Sequence, residues 1–218
     1  MNLQDAVQRA NEAQSLGLEA RNLACYRGDQ CLFESLDLRV GPGELLRIEG
    51  ANGAGKTSLL RILSGLSRPD AGEVCWAGTP IEKAQSGFAR ALGYLGHLIG
   101  LKLDLTLEEN LRVMAALRGQ SPEPLAQKAL LERLDLWSRR DLRARVLSQG
   151  QRQRTALAAL VLFGGPLWIL DEPFTALDRA GVVLTESLID THLESGGLVV
   201  LSSHQPLSTR AVARRLGL

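Results

Sequence analysis

The sequence has few cysteines, and none of them form a CxxC pair. The three are Cys25, Cys31 and Cys75. An odd number without such a pair is typical of ordinary thiols in a reducing compartment. We therefore expect packing or surface thiols rather than a metal or redox site.

The sequence also lacks an apolar run long enough for a transmembrane helix. The most apolar stretch, residues 156–170, is interrupted by Gly-Gly-Pro at 164–166, whereas a span needs roughly 18–20 apolar residues. The first residues are polar and mixed in charge, unlike a secretory signal. Any membrane role is therefore expected to depend on a partner.

Charge of either sign is not in excess, with 25 basic and 24 acidic residues and a net charge of +1. This balance gives no reason to expect a nucleic-acid partner. A length of 218 residues with 45% hydrophobic residues favours one globular domain with a substantial core. Residues 1–17 are polar and are interpreted as an N-terminal extension, with the folded domain at 18–218.

The periodicity of the apolar residues predicts an α/β fold. Residues 18–40 alternate around a turn at Arg27-Gly28-Asp29, which predicts an antiparallel β edge. The continuous apolar runs 167–170 and 198–201 are typical of parallel strands that are buried on both faces. Further helices are expected from Ser148 to about 163 and over about 181–195.

Residues from about 85 to 150 are interpreted as an inserted helical subdomain, because leucine recurs there at helical spacing. Thr106 and Glu109 have the spacing of a capping box, in which each side chain satisfies a backbone N–H at the start of a helix. This pair predicts a helix over 110–117, and another is expected around 125–134.

Residues 50–57 match the phosphate-binding pattern G-x-x-x-x-G-K-[ST] at every defined position. Glycines let backbone N–H groups approach phosphate oxygens, and the helix that follows directs its positive end at the same anion. Lys56 supplies a mobile cation for the terminal phosphates, and the Thr57 hydroxyl can ligate Mg²⁺. The residues predicted to contact the nucleotide in this segment are Gly50, Asn52, Gly53, Ala54, Gly55, Lys56, Thr57 and Ser58.

Asp171 and Glu172 follow the first buried apolar run directly. Two adjacent acids at the end of a central strand are costly unless they hold a cation or take part in chemistry. Asp171 is predicted to hold Mg²⁺ with Thr57, and Glu172 to orient and polarise the attacking water. Together with the phosphate loop, these acids predict hydrolysis of ATP to ADP and phosphate, with ATP and Mg²⁺ as cofactors.

The segment Leu147-Ser148-Gln149-Gly150-Gln151, about 20 residues before Asp171, resembles the LSGGQ signature of ABC ATPases. The resemblance covers nearly the whole chain from about residue 18. It implies a P-loop NTPase core and two copies of the chain that sandwich ATP, with the signature of one copy facing the phosphate loop of the other. It assigns nucleotide contacts to Ser148, Gly150, Gln151 and Asp178, the last of these in a D-loop.

Three further positions take roles from the same resemblance. His204 corresponds to the switch histidine that contacts the γ-phosphate, and Tyr26 to the aromatic residue that stacks on adenine. His97 falls where the family has the Q-loop glutamine, which couples the nucleotide to the membrane subunit. His97 is therefore a departure from the family pattern, as is Gln149 in place of a signature glycine.

The segments 52–74, 167–178 and 196–207 look like those of a subfamily, the ATP-binding subunits of cytochrome c maturation transporters. This implies a CcmB-like integral membrane partner and a peripheral location on the cytoplasmic face of the bacterial inner membrane. Hydrolysis would either move haem or release a haem chaperone. Three alternatives remain: an ABC ATPase for another cargo, a soluble ABC ATPase of DNA repair or translation, and a non-catalytic nucleotide-binding module.

Overall fold

The computed structural model describes residues 17–97, 99–121 and 123–218, so nearly all of the predicted N-terminal extension lies outside the described residues. The strands are β1 (Leu18–Arg27), β2 (Gln30–Val40), β3 (Leu45–Glu49), β4 (Ala71–Trp76), β5 (Thr79–Pro80), β6 (Leu92–Leu95), β7 (Leu167–Asp171), β8 (Leu198–Ser202) and β9 (Ala213–Gly217). The helices are α1 (Lys56–Leu63), α2 (Gln85–Ala91), α3 (Leu107–Leu117), α4 (Pro124–Arg133), α5 (Gln149–Phe163) and α6 (Arg179–Glu194).

A five-stranded parallel sheet with the order β6-β7-β8-β3-β9 forms the centre of the fold. Every residue of β7 and β8 is buried, as the two apolar runs predict, because helices and the second sheet cover both faces. The two strands pair directly, with Leu167 opposite Leu198 and Asp171 opposite Ser202. The carboxyl ends of β3, β7 and β8 therefore meet at one edge, which receives the phosphate loop and the two acids.

The predicted antiparallel edge is a second sheet with the order β2-β1-β4-β5. Its apolar side packs with α1 and one face of the parallel sheet, which contributes alternate residues such as Ile48, Ile169 and Val200. The intervening residues, such as Leu170 and Leu201, face a second cluster with α5 and α6. This alternation confirms an α/β fold in which the central sheet is covered on both sides.

The predicted capping box at the start of α3 is present. The Thr106 hydroxyl accepts from the Glu109 N–H at 3.1 Å, and the Glu109 carboxylate accepts from the Thr106 N–H at 2.7 Å. That second bond lowers the pKa of Glu109, because it stabilises the ionised carboxylate. Leucines of α3 and α4 form a third apolar cluster with Ala158, Ala159 and Phe163 of α5.

Three strands were not expected from the sequence, namely β6, β9 and the two-residue β5. β6 lies inside the range interpreted as a helical subdomain, but it pairs with β7, so the run of consecutive helices begins after it at Leu107. β9 pairs with β3 at the edge of the sheet although its sequence, ARRLG, has no apolar alternation. In the described part of the chain, no helix has the length and apolar content to cross a bilayer.

His192 on α6 stacks on Trp168 of β7, with ring centroids 3.8 Å apart and planes 8° from parallel. Its Nε2 lies 3.0 Å from the Pro166 carbonyl oxygen, which can only accept, so the tautomer protonated at Nε2 donates here. Gly197 leaves room for the ring, since a Cβ at that position would overlap it. Burial lowers the pKa of His192, although hydrogen bonds to the backbone of Pro166 and Leu198 oppose that shift.

The lowered pKa of His192 predicts a loss of stability in mild acid. The ordinary value is 6.5, so below it the unfolded chain takes up a proton that the folded chain still excludes. The stability that neutral His192 contributes is fully present above pH 6.5, and it is lost as the pH falls through the lower pKa of the folded state. His192→Phe keeps a ring against Trp168 and removes the titration, so its free energy of unfolding should fall less between pH 7 and 5. Equal pH slopes for the two proteins in urea unfolding would contradict this.

Candidate nucleotide site

A cavity of about 390 Å³ lies at the carboxyl edge of the parallel sheet, where the sequence places the phosphate loop and the two acids. It is lined by Arg27, Leu32, Asn52, Gly53, Gly55, Lys56, Thr57, Ser58, His97, Asp171, Glu172, Thr175 and His204. The fold thus brings together predicted residues from four separate segments. A larger groove of about 990 Å³ lies between the end of α1, β4 and α2, and it has none of these residues in its lining.

The loop between β3 and α1 wraps around the Lys56 side chain. Lys56 is 8% exposed, and its ammonium donates to the carbonyl oxygens of Gly50 at 2.8 Å and Ala51 at 3.0 Å. An ammonium has three N–H donors, so these two bonds leave one for a ligand. Gly55 caps α1 in the left-handed region, with φ 103°, and a Cβ there would lie 3.1 Å from the Cβ of Leu32. The loop therefore needs glycine at this position both for its conformation and for its packing.

A chain of hydroxyl and carboxylate groups joins α1 to the ends of β7 and β8. The Thr57 hydroxyl donates to Asp171 Oδ2 at 2.8 Å, and the Ser202 hydroxyl donates to Asp171 Oδ1 at 2.7 Å. The Ser202 oxygen also accepts from the backbone N–H of Glu172 at 3.0 Å. Asp171 is 3% exposed, and the two hydroxyl donors compensate the cost of burying its charge.

Ser202 is a site residue that reasoning from the sequence missed. Its one signal is a hydroxyl at the end of an apolar run, where every preceding residue of β8 is aliphatic. Pairing with Asp171 is a matter of register between two strands that are distant in sequence. The pattern within β8 alone does not show that register.

Glu172 and His204 face each other across the cavity. Glu172 has a φ of 50°, in the left-handed region that is uncommon for a residue with a side chain. Its Oε1 is buried and has no hydrogen-bond partner among the described residues, and His204 Nε2 lies 3.5 Å from it. A strained backbone and an unpaired carboxylate oxygen at one position are typical of a catalytic site.

His97 and Tyr26 are placed differently with respect to the cavity. His97 lines it, just after β6. Tyr26 is 44% exposed, and in the described part of the chain it is its neighbour Arg27 that lines the cavity. The Tyr26 hydroxyl donates to Glu34 at 3.1 Å, and this bond raises the pKa of Tyr26. The adenine contact of Tyr26 stays a prediction.

The signature segment forms the start of α5, apart from the cavity lining. Ser148 and Gln151 form a second capping box, in which the Ser148 hydroxyl accepts from the Gln151 N–H at 3.2 Å. A Cβ on Gly150 would lie 2.8 Å from the Ala176 carbonyl oxygen, whereas Gln149 is exposed. Close packing therefore requires glycine at 150 and tolerates glutamine at 149, which accounts for the departure from the signature.

Asp178 caps α6, and its carboxylate accepts from the Gly181 N–H at 2.8 Å. Gln153 of α5 donates to the Pro173 carbonyl oxygen at 3.0 Å, in the segment that follows Glu172. The signature helix and the turn after the two acids are thus one packed unit. Ser148, Gly150, Gln151 and Asp178 lie outside the lining of the cavity in the same chain, and their nucleotide contacts stay predictions.

The parallel sheet, the phosphate loop and the buried acid at the end of β7 define a P-loop nucleotide hydrolase. The family model described as ABC transporter matches residues 33–175, so the chain belongs to the ABC transporter family and is an ATP-hydrolysing ABC ATPase. A solved structure of the ATP-binding subunit of an ABC transporter aligns with a TM-score of 0.77 and 28% identity, and covers 86% of this chain and 79% of its own.

Two curated relatives carry a more specific name. The chain is 50% identical over 199 residues to the cytochrome c biogenesis ATP-binding export protein CcmA of Methylococcus capsulatus, covering 91% of this chain and 96% of the relative. It is also 50% identical over 190 residues to the protein of the same name from Nitrosomonas europaea, covering 87% and 89%. The similarity therefore extends well beyond the catalytic motifs.

Proposed function

We propose that this ABC ATPase drives an exporter that serves cytochrome c biogenesis. The observation that carries the proposal is the 50% identity over nearly the full length of relatives that bear that name. Catalytic motifs are common to all ABC ATPases. A sequence identity of 50% over nearly the full length therefore also includes many residues between the motifs. The contacts around Lys56, Asp171 and Glu172 support the hydrolytic part of the proposal.

The loop from Gly50 to Ser58 would hold the ATP phosphates. Lys56 is already directed into the loop, and the N–H groups at the start of α1 provide an anion site at a helix N-terminus. Tyr26, near the end of β1, would contact the adenine. His97, which lines the cavity just after β6, would sense the nucleotide there.

Thr57 and Asp171 would hold Mg²⁺. Their oxygens lie 2.8 Å apart at the cavity, and hard oxygen ligands of this kind suit a small divalent cation. When bound, Mg²⁺ neutralises charge on the β- and γ-phosphates. Ser202 would keep the Asp171 carboxylate oriented through its 2.7 Å hydrogen bond.

Glu172 would activate the attacking water, because it lines the cavity and its Oε1 accepts no hydrogen bond from the described residues. As the water oxygen bonds to the γ-phosphorus, Glu172 would accept a water proton, and the bond from that phosphorus to the ADP oxygen would break. Lys56 and His204 would stabilise the charge on the transferred phosphoryl group. The products are ADP and inorganic phosphate.

Two copies of the chain would enclose two ATP molecules. Ser148, Gly150, Gln151 and Asp178 lie apart from the cavity lining of their own chain, which suits a role toward the cavity of the other copy. A CcmB-like integral membrane subunit would complete the complex. The ATPase would then be peripheral, on the cytoplasmic face of the bacterial inner membrane.

The cargo assignment is tested in the native host. Deletion of the gene should abolish covalent haem staining of c-type cytochromes, and a plasmid copy of the wild-type gene should restore it. A Lys56→Ala copy that accumulates to the same level on an immunoblot should not, because the work comes from hydrolysis. Normal c-type cytochromes in a deletion strain without a duplicate gene would assign the ATPase to another cargo.

A further inference from the structure

Arg47 is a charged residue in the central sheet, at a position where the strand pattern calls for an apolar one. It lies on β3, between β8 and β9, opposite the fully buried Leu201. Leu45 and Leu201, on the same face, belong to an apolar cluster. The Arg47 side chain is 12% exposed.

Burial of a guanidinium costs free energy that the interactions with its partners rarely offset in full. A residue that breaks the local pattern in this way is expected to serve function or orientation rather than stability. The hydrogen-bond and ion-pair partners of Arg47 indicate whether it serves function or orientation.

The hydrogen bond from Arg47 reaches the segment that follows β8. Its Nη2 donates to the Ser203 carbonyl oxygen at 3.2 Å. On the other side, Glu49 Oε1 lies 3.2 Å from Arg47 Nε and 3.7 Å from Arg215 Nε of β9. The geometry at Arg47 Nε is that of an ion pair without a hydrogen bond, so among the described contacts the directional one is with Ser203.

Ser203 begins the turn that carries His204. The Ser203 hydroxyl accepts from the Gln205 N–H at 3.0 Å. His204 therefore lies between two residues that are hydrogen-bonded to each other. The His204 side chain is 52% exposed, and its Nε2 approaches Glu172 at 3.5 Å. A side chain with so little packing depends for its direction on the backbone of its turn, and that backbone is held by Arg47.

We infer that Arg47 is a positioning residue for His204: it holds the Ser203 carbonyl and thereby directs the imidazole toward the γ-phosphate side of the cavity. The inference rests on the proposed function of His204. It extends the site to a residue of β3 that contacts neither ATP nor Mg²⁺ in the proposed mechanism.

Arg47→Met tests this, because methionine fills the space without donating. We expect kcat for ATP hydrolysis to fall about 10- to 100-fold, the range that misplacement of a reacting group by about 1 Å produces. KM for ATP should stay within about twofold, since the ground-state phosphate contacts of the loop remain. Arg47→Lys, which can still donate one hydrogen bond, should recover part of kcat. Arg214→Met is the matched control, because Arg214 is an exposed neighbour on β9 that bonds to Arg39 and Glu44, away from the turn.

A double variant separates positioning from a general structural effect. In a His204→Ala background, Arg47→Met should lower kcat no further, because the group that it positions is gone. Multiplied losses, a rise in KM with unchanged kcat, or wild-type kcat in Arg47→Met would each overturn the inference. If His204→Ala alone keeps full activity, it is the proposed role of His204 that fails. If thermal melting shows that Arg47→Met does not fold, Arg47→Gln takes its place in the same set of single and double variants.

Discussion

Lys56→Ala should abolish ATP turnover and remove most of the affinity for ATP. The ammonium is the cation that lies within the phosphate loop, bonded to the carbonyl oxygens of Gly50 and Ala51. Hydrogen bonds to charged groups contribute about 1.5–3 kcal/mol each, so the loss of even one raises Kd roughly 10- to 100-fold. Calorimetric titration with Mg-ATP measures this directly.

The truncation also removes the Lys56 donor from the carbonyls of Gly50 and Ala51 and leaves Ala51 with the 3.2 Å bond from the Ala54 N–H, so the loop itself should loosen. Lys128→Ala is the matched control, since Lys128 lies on α4, about half exposed, in an ion pair with Glu132. It should bind and hydrolyse ATP as the unmodified protein does. Near-normal ATP affinity in Lys56→Ala would show that the loop does not bind the phosphates.

Glu172→Gln should bind ATP normally and hydrolyse it about 10²- to 10⁴-fold more slowly, the usual cost of losing a general base. Glutamine keeps the shape of the side chain but loses its negative charge and its basicity. The phosphate contacts of Lys56 and the loop persist, so a homodimer should accumulate in the presence of ATP. Hydrolysis is then too slow to dissociate it. Phosphate release measures the rate, and gel filtration with and without ATP detects the dimer.

Glu132→Gln, a change of the same type at an exposed position of α4, should alter neither property. An unaltered hydrolysis rate in Glu172→Gln would remove Glu172 from its proposed role. Slow hydrolysis without an ATP-dependent dimer would leave the base assignment standing and exclude the sandwich arrangement.

Much of the fold was predictable because its signals are local. The runs that became β7 and β8 are apolar at consecutive positions, and such runs have few alternatives to a doubly covered strand. The capping box of Thr106 and Glu109 lies within a single helical turn, so spacing alone defines it. The phosphate loop is likewise a contiguous pattern whose chemistry follows from residue order.

The elements that were missed depend on distant partners. β9 is a strand because β3 offers it an unpaired edge, although its own sequence is charged. β6 is only four residues long and is specified by its pairing with β7. Propensity over so short a window is weaker than the hydrogen bonds of a neighbouring strand.

The amino-acid sequence by itself determined the chemical groups of this protein: a lysine in a glycine loop, a hydroxyl beside it, two acids after a buried strand and a signature at a helix start. Those patterns are contiguous, and short-range geometry is enough to read them. Only the tertiary structure decided how the groups are oriented, because orientation depends on register between strands far apart in the chain. It placed Ser202 against Asp171, left Glu172 Oε1 without a hydrogen bond from the described residues, and set Arg47 against the turn of His204.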